Sequence, residues 1–136
     1  MTEKNLPELL HLDTLAVRTA VMKSQYGENS EALYLTSSFV QPNAETAARR
    51  FAGEEEGYTY SRFGNPTVTS MEQRLAALEG TEACIGTSSG MAAIMLMCMG
   101  LLKAGDHVIC SQSVFGSTIR LLAGEFGQCV QMQMLG

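Results

Sequence analysis

The sequence has 136 residues, 46% hydrophobic and 17% charged, with 9 Lys+Arg against 14 Asp+Glu for a formal charge of −5. That length suits about one domain, and the apolar fraction excludes a disordered chain. The net acidity, with basic residues scattered apart from Arg49-Arg50, argues against a nucleic-acid partner, which would want a basic stripe.

The opening residues, MTEKNLPELL, lack the basic-then-apolar pattern of a leader. Residues 1–61 read as an arm. Asp13 is placed to cap a helix over residues 14–23, with Leu15, Val17, Val21 and Met22 as its apolar members. Residues 26–30 break that pattern, residues 33–40 suit extended backbone, and Gln41-Pro42-Asn43 turns the chain. Asn43 or Glu45 opens a short helix over residues 44–53, closed by Gly53. Residues 53–66 are rich in Glu, Gly, Tyr and Ser and have no clear periodicity. They read as a long loop, the kind that in compact chains is functional or disordered.

Residues 67–136 alternate. A helix over 67–79 carries Met71, Leu75 and Leu78 on one stripe and stops at Gly80. Residues 83–86 read as a short apolar strand. A helix opens at Ser89 or Gly90 and runs to residue 103, stopped by Gly105. A second strand covers 107–110, a helix 116–125 ends before Gly127, and a third strand covers 129–135. This αβαβαβ order implies parallel strands joined by helical crossovers. The stretch 83–102 has no charge, but only residues 91–102 are continuously helix-like, too few to span a bilayer; a buried core helix and no membrane partner are expected. That helix is apolar on nearly every face and wants cover on more than one side. The third strand has no helix after it, whereas a parallel sheet wants both faces covered. The expectation is an amino-terminal portion of a larger protein. Cys84, Cys98, Cys110 and Cys129 form no CxxC pair, and His11 and His107 are far apart, so no metal site is expected. Each cysteine reads as a small buried hydrophobe in a reducing compartment.

Three segments carry candidate chemistry. Gly86-Thr87-Ser88-Ser89-Gly90-Met91 leaves a strand and enters a helix, where free N–H groups at the positive dipole end suit a phosphate. Gly90 would let an anion approach the backbone, and the Ser hydroxyls can donate. The same residues fit an ordinary small-residue turn, and the run is neither a dinucleotide fingerprint nor a Walker loop. In the second segment, residues 58–67, Asn65-Pro66-Thr67 reads as a turn and helix start, and Tyr60 and Arg62 stand two apart, so extended backbone would point both to one side, a phenol and a guanidinium forming an anion clamp. Both also fit a plain surface. In the third, Ser113-Val114-Phe115-Gly116-Ser117-Thr118 follows the second strand. Ligands of open α/β sheets bind at the carboxyl ends of strands, which puts Phe115 at the edge of Gly90, able to stack on a ring or to serve as core.

Together these features suggest a phosphorylated ring cofactor. The runs YSRFGNPT, Leu78 to Gly80, TSSGMAAI, GDHVI and FGST, in that order, closely resemble the amino-terminal third of the Cys/Met-metabolism family of pyridoxal-phosphate enzymes. The likeness covers essentially the whole chain and is greatest to the branch that sulfhydrylates O-succinylhomoserine. The resemblance implies an α/β fold of fold type I (aspartate-aminotransferase-like), with residues 1–61 as arm and intersubunit loop and 62–136 as the first part of the cofactor domain. It implies pyridoxal 5′-phosphate held by Ser89, Gly90 and Met91, with Phe115 stacked on its ring. Tyr60 and Arg62 are implied to reach the neighbouring subunit's phosphate, in a homodimer or homotetramer. The segment around Tyr58 to Arg62 is then expected to pack poorly on its own subunit.

The implied reaction is γ-replacement: O-succinylhomoserine and sulfide give homocysteine and succinate, in cytoplasmic methionine biosynthesis. Many members carry Tyr at the position of Phe115, whose hydroxyl serves proton transfer; Phe stacks but exchanges no proton, which weakens a cystathionine γ-synthase or γ-lyase reading. The family's Schiff-base Lys, pyridine-pairing Asp and carboxylate-binding Arg are expected beyond Gly136, since Lys4, Lys23 and Lys103 match no such motif. No catalytic residue is expected within the segment, which alone is expected to be inactive. A non-catalytic phosphate-binding module or a pure interaction domain are the readings from other classes.

Overall fold

The computed structural model describes residues 10–135. The leader-free reading of the first ten residues therefore lies, apart from Leu10, outside the described residues. The chain forms two compact units that divide after Gly86.

The first unit contains α1 (Leu12–Arg18), α2 (Ala44–Phe51) and α3 (Pro66–Glu79). Helix α1 starts earlier and ends sooner than the expected 14–23. His11 occupies the cap position, with Asp13 in the first turn. Thr19 turns extended and Ala20 takes φ 58°, so Val21 and Met22 fall outside the helix. The cause lies 55 residues away: Arg74 Nε donates to the Thr19 carbonyl at 3.1 Å, removing an acceptor that a longer helix would use. Arg74 also donates to Glu31 Oε1 at 2.7 Å, tying the arm to α3.

Helix α2 begins at its Asn43 cap, whose Oδ1 accepts from Thr46 N at 2.8 Å, and Gly53 beyond its end adopts φ 75°. Residues 53–65 form the expected loop of turns, but α2 holds it down. Arg49 donates to both Glu45 and Glu55, and Arg50 reaches Glu55 at 3.2 Å and Gln41 at 2.9 Å. Gln41 passes the link on to the carbonyls of Phe39 and Tyr58. A Cβ at Gly57 would run into the Arg50 guanidinium, so this close approach requires glycine.

Helix α3 starts one residue before the expected 67 and ends at the expected 79. Asn65 caps it, Pro66 takes the first position, and Gly80 ends it at φ 64°. The buried face differs from the expected stripe: Met71 and Leu75 are more than two-fifths exposed, whereas Pro66, Ser70 and Ala76 are buried. Residues 83–86 form no strand. No described residue supplies them a ladder partner; instead Gly86 N donates to Glu72 Oε1 at 2.6 Å.

The second unit contains α4 (Gly90–Leu101), β1 (His107–Ser111), α5 (Gly116–Arg120) and β2 (Gln131–Leu135). Strands β1 and β2 pair in parallel, His107 opposite Gln131 through Ser111 opposite Leu135. Helix α5 continues as a π-helical segment (Leu121–Glu125), with Phe126 N donating to Leu121 O at 3.1 Å. The core is Cys98, Cys110 and Leu122, flanked by Ile94, Val108, Met132 and others. Cys98 and Cys110 are buried as expected, but Cys129 is exposed. Helix α4 departs from the expected buried core helix: only Cys98 is buried, and Met97, Met99 and Leu101 are more than half exposed. A helix apolar on every side has more faces than this one unit covers. Among the described residues no helix is long and apolar enough to cross a membrane.

Two measurements check this account. Nothing lies within 4 Å of a Cβ built on Gly80, so Gly80→Ala introduces backbone strain alone; urea unfolding is expected to show a loss of about 1–2 kcal/mol. The carboxyl of Glu31 is held below its usual range, chiefly by the Arg74 hydrogen bond, and that of Glu55 chiefly by Arg49. A folded-state pKa below the unfolded value of about 4.3 means that this stability is complete above that value and is lost as pH falls through the folded one. The urea midpoint should therefore fall between about pH 5 and 3, and Glu31→Gln should flatten part of that fall.

Candidate functional site

Helix α4 starts where the small-residue run predicts. Ser89 is its cap: φ −164° puts it outside the helix, and its Oγ accepts from Ala92 N at 3.1 Å. The Ser89 carbonyl accepts from Ala93 N at 3.0 Å. Thr87 Oγ1 braces the approach by donating to that same carbonyl at 2.9 Å. The N–H groups of Gly90 and Met91 come next in the chain, and neither donates to a protein acceptor among the described residues. A Cβ on Gly90 would meet nothing within 4 Å. Two backbone donors, open space over Gly90 and the free hydroxyl hydrogen of Ser89 fit a phosphate group.

Phe115 stands at the carboxyl end of β1, as the residue preceding α5. It is 73% exposed, so within this chain it is a presented ring rather than core packing. Its carbonyl accepts from Thr118 N at 2.8 Å, and Thr118 Oγ1 lies 4.0 Å from Met91 Sδ. The first turns of α4 and α5 are thus neighbours, and Ser89, Gly90, Met91 and Phe115 share one edge of the second unit.

Tyr60 and Arg62 belong to the first unit. They are side by side, but not by strand alternation. Tyr60 forms an antiparallel bridge with Ser38, and then the chain turns: Phe63 N donates to Tyr60 O at 2.9 Å and Gly64 N to the same carbonyl at 3.2 Å. The turn folds the Arg62 guanidinium back to 5.3 Å from the Tyr60 ring and 5.1 Å from the Phe63 ring. Among the described residues Arg62 has no carboxylate partner. Tyr60, Arg62, Ser38, Thr59 and Phe63 help line a hollow of about 410 Å³.

The poor packing expected around Tyr58 to Arg62 is not found. Phe39 N donates to Thr59 O at 3.1 Å, Ser61 N to Ser37 O at 2.9 Å, and the Phe39 and Tyr58 rings stand 5.5 Å apart. Sequence reasoning also missed Asn65 as more than a cap. Its Nδ2 donates to Tyr34 O at 2.9 Å and Ser61 Oγ at 3.0 Å. Only the run Asn65-Pro66-Thr67 hinted at it, as a helix start. Among the described residues no group of three or more His, Cys, Asp or Glu side chains could hold a metal ion.

The chain has counterparts among known proteins in sequence and fold. A family model for Cys/Met-metabolism PLP-dependent enzymes matches residues 13–134. An O-succinylhomoserine sulfhydrylase of Pseudomonas aeruginosa is 55% identical over 109 residues, covering 80% of this chain and 27% of the relative. An L-methionine gamma-lyase of Fusobacterium nucleatum subsp. polymorphum is 46% identical over 111 residues, 82% of this chain and 28% of the relative. A Campylobacter jejuni protein assigned as an O-acetylhomoserine (thiol)-lyase, solved with N′-pyridoxyl-lysine-5′-monophosphate, superposes with a TM-score of 0.83 at 31% identity, over 93% of this chain and 32% of that one. The chain therefore spans 27% to 32% of the length of these proteins. Its fold is that of the fold type I PLP-dependent transferases, represented by an arm and the first α/β units. With the match running across nearly all of its length, the chain belongs to the Cys/Met-metabolism family of PLP-dependent enzymes.

Proposed function

We propose that the protein carries out PLP-dependent γ-replacement, converting O-succinylhomoserine and sulfide to homocysteine and succinate in methionine biosynthesis. The bond from Cγ to the succinyl oxygen breaks, a bond from Cγ to sulfur forms, and succinate carries away the electron pair. The observation that carries the reading is the edge shared by the α4 start and Phe115: two free backbone donors beside a presented ring. The 55% identity to an O-succinylhomoserine sulfhydrylase supports this reaction over the γ-lyase reading, whose relative stands at 46%.

When bound, pyridoxal phosphate supplies an electron sink for carbanions next to the amino group. The residues of this chain bind and orient. Gly90 and Met91 donate N–H groups to phosphate oxygens, where the α4 dipole adds to the attraction, and the Ser89 hydroxyl donates beside them. Phe115 would supply the flat apolar surface against which the cofactor ring is held. Phe115 has no hydroxyl, so no proton would be held or moved there, which suits a sulfhydrylase better than a cystathionine γ-synthase or γ-lyase. Tyr60 and Arg62 supply a phenol O–H and a guanidinium to a phosphate across a subunit boundary, in a cytoplasmic homodimer or homotetramer. Residues 1–61 then act as arm and intersubunit loop, and residues 62–136 as the first part of the cofactor domain.

Assays of the full-length protein separate the readings. O-succinylhomoserine with sulfide should yield homocysteine, faster than the same ester with cysteine yields cystathionine and faster than methionine yields methanethiol. Turnover confined to cysteine or methionine would replace this reading with the γ-synthase or γ-lyase one. Phe115→Ala should weaken pyridoxal phosphate binding by about 0.5–1.5 kcal/mol in an absorbance titration, whereas Phe115→Tyr should leave it intact. Because the ring is exposed, thermal unfolding of the cofactor-free Ala variant should change little.

A further inference from the structure

We propose that Asn65 is a positioning residue for the anion clamp: its side-chain amide holds the Tyr60–Phe63 turn in the geometry that presents Tyr60 and Arg62 together. The inference rests on the reading of those two residues as phosphate ligands.

Asn65 is 6% exposed, and both donors and the acceptor oxygen of its side chain are engaged. Oδ1 accepts from Thr67 N at 2.9 Å, which caps α3. Capping needs an acceptor only, and Asp or Ser would serve as well. The amide donors therefore have another task. Both of their targets lie outside the helix, in the two segments that carry the clamp: Tyr34 O at 2.9 Å and Ser61 Oγ at 3.0 Å. Tyr34 is held a second time, its N–H donating to Thr67 Oγ1 at 2.9 Å, so segment 34–38 is registered against the first turn of α3. Ser61 sits between Tyr60 and Arg62 and is fixed three ways. Its N–H donates to Ser37 O, its hydroxyl donates to Thr36 O, and its oxygen accepts from Asn65.

The clamp itself has no such anchor. Among the described residues the Arg62 guanidinium has no hydrogen-bond or ion-pair partner and lies over the two aromatic rings, and Tyr60 is 40% exposed. Ser61 lies between them, and Asn65 is the one side chain that ties Ser61 to the start of α3. An amide is the one side chain of this size that offers an acceptor to the helix, a donor to the turn and a donor to segment 34–38 at once.

The test is pyridoxal phosphate titration of the purified full-length apoprotein, followed by absorbance. Asn65→Asp keeps the capping acceptor and removes both donors. Ser61→Ala breaks the same link from the turn side with the cap untouched, and it carries the test if the Asp variant does not fold. Each should weaken cofactor binding about tenfold, as loss of a hydrogen bond serving a charged contact does. In an Arg62→Ala background the Asn65→Asp effect should shrink below about twofold, because there is no guanidinium left to place. If Asn65→Asp weakens binding equally in both backgrounds, its role is general stability and the proposal is overturned. If Arg62→Ala weakens binding while Asn65→Asp and Ser61→Ala do not, the proposal fails and the ligand reading stands. If Arg62→Ala itself leaves affinity unchanged, the ligand reading falls and takes the proposal with it.

Discussion

One buried amide holds the first unit in register. The side chain of Asn65 starts α3, fastens the segment at Tyr34 and receives the turn at Ser61, with three hydrogen bonds between 2.9 and 3.0 Å. Around it the other buried positions are Thr46, Ser70, Pro66 and Ala76, a set with little apolar surface. Apolar contacts are non-directional and tolerate small slips, whereas a saturated amide accepts one arrangement and penalises the rest. The Tyr60 phenol and the Arg62 guanidinium stand side by side on the segment held in this way.

The second unit solves a different problem by different means. Its core is apolar, with Cys98, Cys110 and Leu122 packed under a two-stranded parallel ladder, and its donors are backbone N–H groups at the start of α4. Backbone donors carry no side-chain entropy and are aimed by the helix itself. Rigidity at that edge therefore follows from the packing of α4 and α5, of which the neighbouring Met91 and Thr118 are the visible sign. A charged side chain is thus presented by a hydrogen-bonded unit, and open backbone donors by an apolar one.

What could be read from sequence were features decided within a few residues. Asn43, Asn65 and Ser89 cap helices and Gly80 stops one, because a cap is a local hydrogen bond and a left-handed stop a local conformation. Ser89, Gly90, Met91 and Phe115 were placed at one edge because strand–helix alternation dictates which ends meet. Features set by distant partners were not legible. The end of α1 depends on Arg74, far along the chain, and the buried face of α3 depends on which neighbours pack on it. Residues 83–86 have strand composition, but composition cannot supply a ladder partner. The nearness of Tyr60 and Arg62 was anticipated through alternation and is achieved through a turn, which the run Ser61-Arg62-Phe63-Gly64 does not announce.

The unequal burial in the two units has a thermal consequence. Heat capacity rises on unfolding mainly through newly hydrated apolar surface and is lowered by newly hydrated polar surface. A unit whose buried residues are largely hydroxyls and an amide gains little heat capacity when it opens, so its free energy changes gently with temperature. The apolar unit gains more, and its stability curve bends more sharply toward both cold and heat. Heating or chilling the protein should therefore change the stability of the two units at different rates, more steeply in the apolar one.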